Sequence, residues 1–482
     1  MAKKRWQRIS LALAGLWFSQ TAAGVCASLS IEEAVSMALL QNPAVKITSR
    51  GEETAEAQLR QAKSAQGFTV TLNSSIRDNK VAGETNTLTN SNGVTASLPI
   101  YTGGKNEANI DSSELGLEIA RLNTDRKREN IRYDVIKAYY DVLDAQKVVA
   151  VDKESVSKYE AHLQDVQNLY QAGAGPKVDV LRSEVELANA RQTLIKAENA
   201  YAVKLSTLRN IMNMDRNEEL ILTDDFSYQP VEADLFTCLQ YADDKRKDIL
   251  AAQYEVKQKN LAVKVAEAGY RPTVSLSVGS TQANDLQPSA DSSLSYNAGI
   301  SASWNIFDNG LTAAKVDAAK TAADVAELTL QKTRNDVDLE VRQAYLNMQE
   351  AEKRFTSTGE AVKQAEEDFF IAKEKYKAGA GTMLDIIDAQ TALSTAKLNA
   401  ISARYDYARY KAQLENVTGC DLAVTDGEAL HLEQQALAES KERTAAAKNV
   451  SAAVTENKKQ QEKEPGADEV VQQAAMDKGV AE

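Results

Sequence analysis

The second half of this chain repeats the first. Residues 93–201 align with 299–407 at a constant offset of 206 and without a gap. Gly93 falls on Gly299, Gly104 on Gly310 and Ala138-Tyr139 on Ala344-Tyr345. The strongest block sets Tyr170-Gln-Ala-Gly-Ala-Gly over Tyr376-Lys-Ala-Gly-Ala-Gly, with Asp179 over Asp385. Upstream the offset is 204, which brings Ala38 onto Ala242. A period of this length far exceeds the repeat of a solenoid. One structural module is therefore duplicated, and a pseudo-symmetric, ring-forming product is the natural expectation.

Residues 1–27 have the pattern of a secretory signal. Lys3, Lys4, Arg5 and Arg8 precede an apolar core from Ile9 to Phe18, and Val25-Cys-Ala27 offers a cleavage site. The core is about half of what a transmembrane helix needs. A lipidated Cys26 is the alternative, and bulky Val25 argues against it. Removing this segment deletes four basic residues and no acid, which takes the net charge from −13 to −17. An exported chain of that charge is not expected to bind nucleic acid. Cys238 and Cys420 would remain, as two buried thiols or a single bridge.

The expected elements follow from periodicity. Residues 28–220 read as the first repeat and 221–425 as the second, with 426–482 a polar tail expected to be mostly disordered, a short helix being the alternative. Helices are expected over 30–41 and 44–66. From Phe68 the period falls from 3.6 to 2, giving a β-hairpin over 67–101 with a polar loop from Asp78 to Asn92. Its counterpart spans 271–306, with Ala298, Ile300, Ala302, Trp304 and Ile306 on the second strand. Each strand is long enough to cross a bilayer when tilted. A Gly turn then leads into a helix over 105–171, free of Pro and about 100 Å long. Val135, Ala138, Val142, Ala145 and Val149 form a heptad seam along it. Gly173 and Gly175 end it, and a helix to Met212 returns with Val178, Leu181, Val185, Ala188, Gln192 and Ile195 on the same spacing. The second copy repeats the plan over 311–377 and 383–417. The return helix is too short to line its partner, and helix 44–66 supplies the missing length.

Two hairpins give four strands with one apolar and one polar face. Four strands cannot close, and an open edge cannot face lipid. Closure by further copies is expected; a soluble sheet over a core is the alternative.

These features resemble the outer membrane efflux proteins, the TolC family. The carrying residues are Ala96-Ser-Leu-Pro-Ile-Tyr-Thr-Gly-Gly104, its counterpart Ala302-Ser-Trp-Asn-Ile-Phe-Asp-Asn-Gly310, the two Gly turns and Leu384-Asp-Ile-Ile-Asp388. The resemblance implies a mostly α fold with a small β part. It implies a homotrimer whose outer-membrane β-barrel sits on a coiled-coil α-barrel crossing the periplasm. Partners would be outer-membrane lipid, a periplasmic adaptor and an inner-membrane pump of RND, ABC or MFS type. Asp385 and Asp388 match the family's constriction, with Asp179 the first-copy acid; the plainer reading is helix-start acids facing the dipole. Arg182 stands where Asp388 would repeat, and Gly381 where a latching Arg is expected. Tyr170, Gly173, Gly175, Tyr376, Gly379 and Gly381 are the candidate adaptor-docking residues, or simple chain reversals. No cofactor, metal site or enzyme motif is expected: His162 and His431 are the sole histidines, and neither lies near a Cys. The competing reading to an export duct is a structural coiled coil that spans the periplasm and tethers the outer membrane.

Overall fold

The computed structural model describes residues 27–80, 87–215, 220–286 and 292–419. The expected leader up to Cys26, Cys420 and the tail 426–482 lie outside them. The first repeat runs β1 (Ala27–Leu29), α1 (Ile31–Gln41), α2 (Pro43–Ser64), β2 (Thr69–Asn79), β3 (Thr87–Tyr101), α3 (Lys105–Gln171) and α4 (Lys177–Met212). The second runs β4 (Leu220–Leu222), α5 (Leu235–Lys245), α6 (Lys247–Glu267), β5 (Thr273–Asp285), β6 (Ser292–Ser303), α7 (Leu311–Lys377) and α8 (Met383–Thr418).

Local chemistry sets the boundaries. Ser30 and Glu33 form a reciprocal capping box at the start of α1. Asn42 caps α2 through its side chain, and Pro43 takes the first helical position, where its missing N–H costs nothing. Gly104 and Gly310 precede the two 67-residue helices at φ 88° and 82°, a left-handed turn that a side chain resists.

The hairpins join into one antiparallel sheet of order β2-β3-β5-β6. Its register stacks residues of one kind across the strands. Val70, Ala96, Val278 and Ala298 form one row, and Leu72, Val94, Ser280 and Tyr296 the next; Leu98, Leu276 and Ile300 lie on the same face. The opposite face carries Thr71, Thr95, Gly279 and Asn297 in one row, and Asn73, Gly93, Thr281 and Ser295 in another. The strands run on into the expected loop: residues read as polar connection pair in register up to Asn79 and Thr87. Backbone hydrogen bonds need no apolar side chain, so the ladder continues where alternation fades. The last strand is shorter than expected. Trp304 and Ile306 lie past its end, because Pro272, which has no N–H, stands just before β5. Trp304 instead donates its indole N–H to the Tyr270 carbonyl at 3.0 Å.

Below the sheet the helices form columns in the same order. α2 and α4 pack in succession along α3: Lys63 meets Glu114 and Arg121 meets Glu52, while Lys204 meets Asp141 and Arg191 meets Glu160. α6 and α8 run between α3 and α7. Each stack has a buried joint. Asn42 donates to the Ile211 carbonyl at 2.8 Å. At the equivalent position Arg246, 4% exposed, donates to the Val417 carbonyl and pairs with Asp248 and Glu340. Beside the first joint lies the main core, where Val135, Tyr139 and Val142 of α3 meet Ala34, Ala38, Leu208 and Tyr405. Among the described residues no helix is long and apolar enough to cross a membrane.

One expected seam faces outward. Val178, Leu181, Val185 and Ile195 of α4 are exposed, while Ser183, Leu187 and Ala197 are buried. The helix carries two parallel 3–4 stripes, and spacing alone does not say which one the chain itself covers. α7 likewise exposes Val325, Leu328, Leu339 and Leu346, all on one heptad register.

The joint yields a test. Arg246→Met should leave the Val417 carbonyl and two carboxylates without their donor and cost about 2–3 kcal/mol. Urea denaturation followed by helical circular dichroism should show it, with Asn42→Ala costing about 1 kcal/mol.

Candidate functional site at the helical tip

The long helices end far along the chain from the sheet, at two turns of the same construction. The Ala174 N–H reaches the Leu169 carbonyl at 2.9 Å and the Gly173 N–H the Tyr170 carbonyl at 3.0 Å. Ala380 and Gly379 repeat these bonds to Lys375 and Tyr376. Each is a Schellman closure, which needs a left-handed residue. Gly173 and Gly379 supply it at φ 73° and 71°, with open space where a Cβ would be. Gly175 and Gly381 serve a different purpose. A Cβ on Gly381 would meet the Lys375 Cβ at 3.1 Å, and one on Gly175 the Leu169 Cβ at 3.4 Å. The absence of a side chain at 381 thus lets the chain close against the end of α7.

The acidic candidates are not brought together within one chain. Asp385 is exposed and forms a capping box with Thr382: it accepts from the Thr382 N–H at 2.7 Å, and its own N–H donates to the Thr382 hydroxyl at 3.3 Å. The Thr382 backbone and hydroxyl hold its carboxyl below the usual range. Asp388 is also exposed, one turn on, beside a shallow groove with Thr358 and Thr391. Asp179, the repeat equivalent of Asp385, has Pro176 in place of a capping Thr. It lines a cleft of about 670 Å³ between the ends of α3 and α7 and the starts of α4 and α8.

The two tip tyrosines differ as well. Tyr170 is 45% exposed, whereas Tyr376 packs against a small core of Val166, Met383 and Ile387. His162 lies edge-on to Tyr376 at 5.8 Å between centroids and touches the Met383 sulfur. His162 lines the cleft, as do Asp165, Lys373 and Gln390, and none of these was a candidate site residue from the sequence. They come from three helices, and no local spacing links them. Burial raises the Tyr376 hydroxyl, with Asp179 and Asp165 adding to it. Among the described residues no group of His, Cys, Asp or Glu could hold a metal.

Burial also lowers His162 from its ordinary value near 6.5; Asp165 and Asp179 oppose this and Lys373 adds to it. The folded chain then binds this proton less readily than the unfolded one. The contribution to stability is complete above the unfolded value and drains away as pH falls through the folded one. Lys158, Tyr159 and Asp165 of α3, Asp179 of α4, and Lys373, Tyr376 and Lys377 of α7 face this region. His162→Leu should flatten the decline in melting temperature between about pH 6.5 and pH 5. At the turns, Gly379→Asn should be mild, while Gly379→Val should cost about 1–2 kcal/mol in the same melts.

Residues 34–214 and 238–420 each match the outer membrane efflux protein family, one match per repeat. Protein CyaE of Bordetella pertussis is 24% identical over 395 residues, covering 80% of this chain and 81% of that protein. Outer membrane efflux protein BepC of Brucella suis is 21% identical over 360 residues, 74% of this chain and 78% of its own. The crystal structure of the Campylobacter jejuni CmeC outer membrane channel superposes with a TM-score of 0.72 at 19% identity, covering 84% of this chain and 89% of that one.

Proposed function

Because the chain belongs to the outer membrane efflux protein family, we propose that it works as a homotrimer, the outer-membrane exit duct of an efflux or secretion assembly. Three sheets of four strands would close a barrel of twelve, and the helical columns beneath would close a second barrel in the periplasm. One observation carries this reading. The sheet has one apolar face and free edges at β2 and β6, and in the columns below those edges α4 and α7 expose apolar heptad stripes. One copy's α7 fits against the next copy's α2 and α4, so strand pairing and helix packing close together. An apolar face outside and a polar face inside suit lipid and a water-filled lumen.

The first and second repeats, about 28–220 and 221–425, are the two halves of each protomer. The turns around Gly173 and Gly379, with Gly175, Gly381, Tyr170 and Tyr376, are the docking points for a periplasmic adaptor. The adaptor joins the duct to an inner-membrane pump of RND, ABC or MFS type. Around the three-fold axis, Asp385 and Asp388 would contribute two rings of three carboxylates to the narrow end. They attract cations there, while Asp385 also keeps its capping bond.

Native mass spectrometry from mild detergent should give three chains, and the purified protein should conduct ions across a planar bilayer. A stable monomer, or a trimer without conductance, would return the chain to the tether reading. The double change Asp385→Asn, Asp388→Asn should weaken block by multivalent cations by about tenfold and reduce cation selectivity. An unchanged reversal potential and unchanged block would leave both acids as helix-start residues.

A further inference from the structure

At the tip the two helical hairpins of one chain meet over a small core. Val166 of α3 and Val180 of α4 pack there with Tyr376 of α7 and with Met383 and Ile387 of α8. His162 of α3 lies against this core. Its Nε2 touches the Met383 sulfur at 2.7 Å, and its ring stands edge-on to Tyr376. The next ties between the hairpins are Tyr159 to Thr391, Ser155 to Ser394 at 3.0 Å and Glu154 to Lys397 at 3.1 Å. They lie about one to two helical turns nearer the sheet. In the other repeat the position of His162 is taken by Asp368, which is exposed.

This core suits a neutral imidazole and receives a charged ring poorly. A thioether is a weak acceptor, and aliphatic side chains give a cation nothing in place of water. Burial holds the ring below its ordinary value; Asp165 of α3 and Asp179 of α4 work against burial, and Lys373 of α7 works with it. The other charged groups at the cleft are engaged elsewhere. Lys158 pairs with Glu154 at 2.7 Å and Lys377 with Glu374 at 2.8 Å. Tyr159 and Tyr376 are phenols that burial pushes up, so they stay neutral. From α8 the cleft is lined by uncharged Ile386 and Gln390. Asp385 is held in its capping box, and Asp388 lies on the groove with Thr358.

Parting the hairpins at this point returns His162 to water and to its ordinary value near 6.5. The parted tip therefore takes up a proton that the closed tip refuses. The closed form has its full advantage above that ordinary value and loses it as pH falls through the lower one. We propose that His162 is a proton-operated clasp: neutral, it holds the α7–α8 end against α3 and α4, and on acidification it lets that end go. The release is local, because the ties at Tyr159, Ser155 and Glu154 remain. As the gate of an export duct the clasp rests on the function proposed above. As a contact between two hairpins of one chain it does not.

Hydrogen exchange of the full-length protein in detergent, read by mass spectrometry and corrected for the intrinsic effect of pH, tests this. Peptides over 159–170 and 383–392 should lose protection between about pH 7.5 and about pH 5.5, while those over 105–130 should keep it. His162→Phe should abolish the step. His162→Arg, charged throughout, should lack the protection already at the higher pH. Asp179→Asn should move the midpoint down and Lys373→Gln should move it up, shifts that a merely structural role would not produce. The double change Asp385→Asn, Asp388→Asn should leave the step in place. Helical circular dichroism on each variant separates a released tip from a lost fold. Several results would overturn the proposal: no step in the parent, a step that survives His162→Phe, midpoints that fail to move in these directions, or loss of the step in the Asp385, Asp388 double variant. A parent that shows the step yet conducts no ions across a planar bilayer would keep the clasp and remove the duct.

Discussion

A sheet that ends in lipid with unpaired backbone groups is not viable, and most of this molecule follows from that constraint. Strands β2 and β6 leave their outer edges open along eleven and twelve residues. Each has a helix column directly beneath it, because α2 leads into β2 and β6 leads into α7. The strand order β2-β3-β5-β6 is thus copied into the column order below. A pairing made at the sheet edge places α7 against a neighbouring column without a further choice of register. The two 3–4 stripes on α4 answer the same demand. One faces α3, and the other stays uncovered in a single chain.

Much of this was legible because its signals are local. The long helices run from Lys105 to Gln171 and from Leu311 to Lys377, where Gly and the absence of Pro had put them. The column argument was also legible, since it rests on lengths. Three things were not. Strand ends past Asp78 were hidden because hydrogen-bonded backbone leaves no trace in polar side chains. The choice between the stripes of α4 depends on which neighbour is present, and periodicity is silent on that. The tip cleft draws His162, Asp179, Tyr376 and Gln390 from four helices, and no spacing along one helix reports such a meeting.

Duplication made two similar halves, and the differences between them are concentrated at joints and tips. Asn42 and Arg246 hold equivalent junctions by different means, a neutral amide in one and a guanidinium with two carboxylates in the other. Thr382 caps Asp385, whereas Pro176 leaves Asp179 free for the cleft. Tyr376 is drawn inward while Tyr170 stays out. In each pair a substitution of one or two residues changes the neighbourhood while the backbone plan is kept.

The apolar face of the sheet also has a height. From Val274 and Ala302 to Leu72, Val94 and Tyr296 it spans three two-residue steps, about 20 Å of strand. The next rows on that face are mixed, with Ser74, Asn92 and Gln282 beside Leu294, then Asn90 and Asn284 beside Ile76. The apolar rows act as a depth gauge. Sinking by one row would carry amides into hydrocarbon, and rising by one would strip lipid from Leu72, Val94 and Tyr296. The band therefore supplies a restoring force along the membrane normal. With a rigid shaft of about 100 Å below it, that force fixes how far from the outer membrane the other end of the protein can be met.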